Sequence, residues 1–118
     1  MTDQFRITIA QLNPTVGDLE GNAAKAKQAW LQGANQGSDF VTLPEMFITG
    51  YNTQDLVMKP AFQNDAMNAV RELAKECADG PALGIGGPWV DDGALFNAYF
   101  IFKWWRHSGD CQKASFAE

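Results

Sequence analysis

Glu45 is the residue whose neighbours best equip it for chemistry. It stands in Asp39-Phe40-Val41-Thr42-Leu43-Pro44-Glu45-Met46-Phe47-Ile48-Thr49-Gly50-Tyr51, an apolar run that ends abruptly at a carboxylate. Phe40, Val41 and Leu43 read as a short buried strand, Pro44 cannot continue a central ladder, and Gly50 permits a tight turn. Glu45 therefore falls just past a strand's C-terminal end, where ligands bind in open α/β sheets. Phe47, Ile48 and Tyr51 nearby would exclude water, a setting that suits a carboxylate acting as general base. The plainer reading is a solvated loop glutamate.

Other chemistry-bearing residues have weaker surroundings. Gly84-Ile85-Gly86-Gly87 has the glycines of a phosphate cradle, but it lies inside a strand pattern and no helix follows, so it reads as glycines for close packing. Cys77 falls on the apolar stripe of a helix with no histidine near in sequence, and reads as core. Asn97 is one amide in an apolar strand and reads as structural. Cys77 and Cys111 have neither the spacing of a metal site nor the density of a disulfide scaffold. No metal and no cofactor is expected in this chain.

The elements that must position Glu45 follow from periodicity. Phe5 to Leu12 alternates, so it reads as a strand with Phe5, Ile7 and Ile9 on its buried face. Leu19 to Gln36 has Ala23, Ala26, Lys27, Trp30 and Leu31 at helical spacing, with Asp18 as cap and Gly37 as stop. Strand, helix, strand makes a crossover between two parallel strands. From Phe62 to Ala78 the residues Phe62, Ala66, Met67, Val70, Leu73, Ala74 and Cys77 form one apolar helical face. Asp79-Gly80-Pro81 ends that helix. Ala82 to Val90 and Ala94 to Lys103 then read as strands joined by a hairpin turn at Asp91-Asp92-Gly93. The fold class is α/β, in the order strand-helix-strand-helix-strand-strand.

Composition sets the outer limits. With 118 residues, 46% hydrophobic and 19% charged, the chain forms one domain or part of one. A net charge of -5 without a basic cluster gives no footprint for phosphate backbones, so nucleic acid is not an expected partner. Met1-Thr2-Asp3-Gln4-Phe5-Arg6 has no signal-peptide pattern, and no apolar run approaches the ~20 residues that span a bilayer. A soluble cytoplasmic protein with no membrane partner is the expectation.

Leu43-Pro44-Glu45-Met46 with Thr49-Gly50-Tyr51 resembles the glutamate motif of the carbon-nitrogen hydrolase, or nitrilase, superfamily. Ile9-Ala10-Gln11-Leu12-Asn13-Pro14-Thr15-Val16-Gly17-Asp18 with Gly21-Asn22 is similar to the amidase domains of glutamine-dependent NAD synthetases. So is Asp55-Leu56 with Lys59-Pro60-Ala61-Phe62, and Asn97 resembles a recurrent asparagine of the family. The resemblance covers residues from about 5 to 102. It implies part of an α-β-β-α sandwich and a homo-oligomeric family. It also implies amide hydrolysis by a cysteine nucleophile, a lysine that stabilises the tetrahedral intermediate, and a glutamate that is base toward the thiol. Only Glu45 matches that set; Cys111 and Lys113 are not carried over. In such synthetases glutamine supplies ammonia to a separate domain that uses ATP and magnesium to amidate deamido-NAD. The 118 residues alone are expected to be an inactive fragment.

After Phe102 the pattern changes. Lys103-Trp104-Trp105-Arg106-His107-Ser108-Gly109-Asp110-Cys111-Gln112-Lys113 has neither helical nor strand periodicity. Permissible codons for Trp104 to Glu118, read one base on, give Gly-Gly-Asp-Ile-Ala-Ala-Ile-Val-Lys-Lys-His-His-Leu-Pro, which resembles the catalytic-lysine motif of the same family. The expectation is a hydrolase portion over 1–103 and a non-native, frameshifted tail over 104–118, which leaves the fold and packs loosely. Two alternatives are a small non-catalytic binding protein that uses Trp104, Trp105, Arg106 and His107 as an interaction patch, and a nucleotide-binding α/β domain. The context of the glycine run disfavours the second.

Overall fold

A computed structural model describes residues 4–51, 56–105 and 110–115, with side chains as far as Lys103. The elements are β1 (Ile7–Ile9), α1 (Leu19–Asn35), β2 (Phe40–Thr42), α2 (Pro60–Glu76), β3 (Ala82–Asp91), β4 (Ala94–Trp105) and β5 (Asp110–Ser115). A short 3-10 turn over Leu56–Met58 precedes α2. One five-stranded sheet runs in the order β1-β2-β3-β4-β5. The first three strands are mutually parallel, because α1 and α2 supply the long crossovers that parallel pairing needs. β3 and β4 are antiparallel and joined by a two-residue turn. Asp92 and Gly93 both have positive φ, +51° and +79°, as the tight hairpin turn requires. Among the described residues no helix is long and apolar enough to cross a membrane.

The helices bury one face of this sheet. In α1 the Asp18 carboxylate accepts from the Gly21 amide at 3.0 Å, and the helix ends at Gln36 and Gly37 as the sequence indicates. Its buried stripe is Asn22, Ala26, Ala29, Trp30 and Gly33, so it is rotated from the expected one, and Leu31 is 41% exposed. Two polar anchors set that rotation: the Trp30 indole donates to the Pro81 carbonyl at 2.8 Å, and Asn22 is fully enclosed. α2 begins two residues earlier than expected, at Pro60, which fits the first turn because no helical partner is needed for its missing N–H. Its buried residues Ala66, Met67, Val70, Leu73 and Ala74 are the expected face, and Cys77 is buried beside them.

Two expectations are corrected. β1 is only three residues long, and its apolar alternation points away from the helices. Pairing of Ile7 with Phe40 and Ile9 with Thr42 puts both isoleucines on the sheet face opposite α1 and α2. Ile7 and Ile9 are consequently more than half exposed, and so is Phe5, which precedes the strand. The second correction concerns the segment expected to leave the fold. β4 continues to Trp105 and β5 pairs with it, Trp104 opposite Cys111 and Trp105 opposite Asp110, after a register shift at Ile101/Phe102. A ladder is made by backbone groups, which side-chain patterning does not report. The side chains of Trp104 and Trp105, and all of Arg106 and His107, lie outside the described residues, as does the expected loose packing of that tail.

Candidate functional site

The loop that carries Glu45 is fastened along β3. The Leu43 amide donates to the Gly84 carbonyl at 2.8 Å, the Gly86 amide to the Pro44 carbonyl at 3.3 Å, and the Ile48 amide to the Gly86 carbonyl at 3.1 Å. Leu43, Phe47 and Ile48 are buried in the core, so Glu45 is held between hydrophobic anchors on either side. The turn itself is tight: Met46 has φ +53° and the Gly50 amide closes back on the Met46 carbonyl at 2.9 Å.

A second brace comes from the loop before α1. The Gly17 amide donates to the Thr49 carbonyl at 2.9 Å. Asn22, with no exposed surface, accepts from the Thr15 amide at 2.8 Å and donates to the carbonyls of Thr15 at 2.8 Å and Ile48 at 3.0 Å. One buried amide thus joins α1, the preceding loop and the glutamate loop. Asn22→Ala leaves those backbone groups without their partner at roughly 1–3 kcal/mol per unsatisfied group. The expected loss is about 3 kcal/mol, read as a lower urea midpoint; an unchanged midpoint would show that the brace is dispensable.

At the carboxylate, the Asn97 side-chain amide donates to Glu45 Oε2 at 2.5 Å. Asn97 is on β4, and Tyr99 two residues along shares its face. The Tyr99 hydroxyl donates to the Leu43 carbonyl at 2.9 Å and is hydrogen-bonded to Thr42. Burial pushes the Tyr99 phenol up, against the lowering pull of Thr42 and Leu43, so it stays a neutral donor. β4 therefore grips the glutamate at its carboxylate and at the strand leading into it.

Glu45 is exposed on the open sheet face. Phe47 and Ile48 turn into the core and Tyr51 is 47% exposed, so the water exclusion expected from these three is not what they provide. Asn97, read from sequence as structural, is instead a polar partner of the candidate base. Strand alternation could have paired it with Tyr99; nothing local reveals contact with a residue 52 positions away. Cys111 and Lys113 lie on β5, opposite Trp104 and Phe102, with their side chains outside the described residues.

Residues 6–109 match the family model for carbon-nitrogen hydrolases. The chain belongs to the carbon-nitrogen hydrolase family. It is similar to the glutamine-dependent NAD(+) synthetase of Rhodobacter capsulatus, with 62% identity over 103 residues, which are 87% of this chain and 19% of that protein. The Thermotoga maritima synthetase is 33% identical over 100 residues, 85% of this chain and 17% of the relative. Among solved structures, the synthetase from Cytophaga hutchinsonii superposes with a TM-score of 0.77 at 29% identity, over 82% of this chain and 17% of that one. An amidase from Nesterenkonia sp. shares the fold, with a TM-score of 0.76 at 18% identity over 97% of this chain and 42% of the amidase. The chain thus spans about a fifth of the length of its synthetase relatives.

Proposed function

We propose that these residues are the N-terminal part of a glutamine-hydrolysing amidase domain of the NAD synthetase type, with Glu45 as its general base. The carrying observation is the 62% identity to the Rhodobacter capsulatus synthetase over 103 residues. The posture of Glu45, at the end of a parallel strand and held by two loops, supports it. In the reaction Glu45 takes the proton of a cysteine thiol, the thiolate attacks the glutamine carboxamide carbon, and the proton passes to the departing ammonia. A lysine stabilises the tetrahedral oxyanion. The family resemblance puts the cysteine and lysine outside residues 5–102, and the ATP- and magnesium-dependent amidation in another domain. A second sheet laid over Ile7, Ile9 and Phe40 would complete the sandwich and enclose Glu45, which is exposed on that face. The frameshift reading of residues 104–118 belongs to the same proposal; a shifted open frame downstream that encodes the cysteine nucleophile supports it, and stops in every frame overturn it.

The test is a chimera in which residues 6–102 replace the matching segment of the Rhodobacter capsulatus synthetase. Glutamine-dependent ammonia release is expected to persist and to fall about 10³-fold in kcat on Glu45→Gln, as for loss of a general base. A Glu45→Gln chimera that hydrolyses glutamine at the unsubstituted rate overturns the assignment. The 118 residues alone are expected to release no ammonia, because groups that act as a unit fail together.

A further inference from the structure

We propose that Asn97 is a positioning residue for Glu45: its amide fixes one carboxylate oxygen and leaves the other aimed at the thiol whose proton it takes. This deepens the reading of Glu45 as base and rests on it.

A glutamate on an exposed turn has several rotatable bonds, and a base must meet its proton within hydrogen-bond distance. Core packing cannot supply that order here, because Glu45 is exposed and its anchors Leu43 and Phe47 hold only the backbone. The Asn97 amide does supply it. Its 2.5 Å bond to Oε2 is charge-assisted, and among the described residues it is the hydrogen bond made by the Glu45 carboxylate. The donor itself stands on a rigid base, since β4 pairs with β3 residue by residue from Asp91 opposite Ala94 to Leu83 opposite Phe102.

The chemical type of the donor matters as much as its place. A lysine or arginine here would strongly favour the charged carboxylate and weaken it as a proton acceptor, whereas a neutral amide orients it with a smaller effect of the same sign. In the 118-residue chain Asn97 is exposed, so a change there leaves the helix-side core untouched. Asn97→Asp keeps size and removes the donor, and it places a second carboxylate beside the first.

Two measurements decide the matter. In the 118-residue chain, the Asn97 side-chain amide NMR signals are expected to move in Glu45→Gln, which replaces the carboxylate that the amide donates to. Amide signals indifferent to Glu45 overturn the contact and the proposal with it. In the chimera, Asn97→Ala and Asn97→Asp are expected to lower kcat by about 10–100-fold at unchanged KM, the size of a misplaced catalytic group. Asn97→Asp should also move the acid limb of the pH–rate profile to higher pH, because like charges hold a proton on the pair. Like charges at positions 45 and 97 move that limb whatever the native role of Asn97, so the shift tests the contact, and the fall in kcat of Asn97→Ala at unchanged KM tests the positioning. If the chimera depends on Glu45 but ignores both Asn97 variants, the positioning role is wrong while the function stands. If the chimera releases no ammonia with Glu45 intact, the functional reading fails and the NMR arm alone decides the contact.

Discussion

Gly86→Ala is expected to dislodge the glutamate loop and to destabilise the chain by about 3 kcal/mol or more, the upper range for overpacking. A Cβ built at Gly86 would lie 2.7 Å from Glu45 Cα and 2.8 Å from its carbonyl carbon, and closer still to the Met46 nitrogen. These are backbone atoms pinned by Leu43, Phe47 and Ile48 in the core, so no rotamer change relieves the clash. Gly84→Ala is the informative contrast: its Cβ would meet the Tyr99 hydroxyl at 2.6 Å and the Phe40 ring at 2.9 Å, both ends of side chains. Urea unfolding should rank Gly86→Ala well below Gly84→Ala. Hydrogen exchange at the Ile48 amide, which bonds to the Gly86 carbonyl, should accelerate in Gly86→Ala alone. Unchanged exchange there would mean that the loop tolerates the methyl group and that Gly86 does not seat Glu45.

The open sheet face is expected to make the 118-residue polypeptide marginal and adhesive. Phe5, Ile7 and Ile9 are 68%, 53% and 70% exposed, and Leu95 on β4 is 37% exposed. Together they leave on the order of 300 Å² of apolar surface in water, which at ~25 cal/mol per Å² forgoes about 8 kcal/mol of burial. That is comparable with the whole ~5–15 kcal/mol stability of a domain. Thermal or urea unfolding with a hydrophobic dye as reporter checks this: dye uptake and a shallow or early transition are expected. Ile7→Thr with Ile9→Thr should reduce dye uptake without loss of the helix-side core, because neither residue faces α1 or α2. A cooperative transition above ~5 kcal/mol with no dye bound would show that the face needs no cover.

The contrast between β1 and α2 shows how much of the fold a sequence carries. For α2, a single apolar stripe with charges opposite is enough, since a surface helix has one face to bury, and Ala66, Val70 and Leu73 are where the pattern puts them. For β1 the alternation names two faces without saying which is covered. The answer lies in pairing with Phe40 and Thr42, more than thirty positions on. The same limit hid β5, whose ladder to β4 depends on backbone hydrogen bonds.

At the site the division is similar. Sequence alone determined that Glu45 lies just past the C-terminal end of a strand, that a tight turn follows it, and that its motif is that of a carbon-nitrogen hydrolase. Those are local properties, written in consecutive residues. That hydrogen bonds to β3 continue on both sides of Pro44 is a correction from the structure. Only the tertiary structure decided that Asn97 holds the carboxylate, that Asn22 ties its loop to α1, and that Gly86 leaves room beneath it. Each is a contact between segments brought together by chain crossovers, and its energy depends on distances that residue order does not encode.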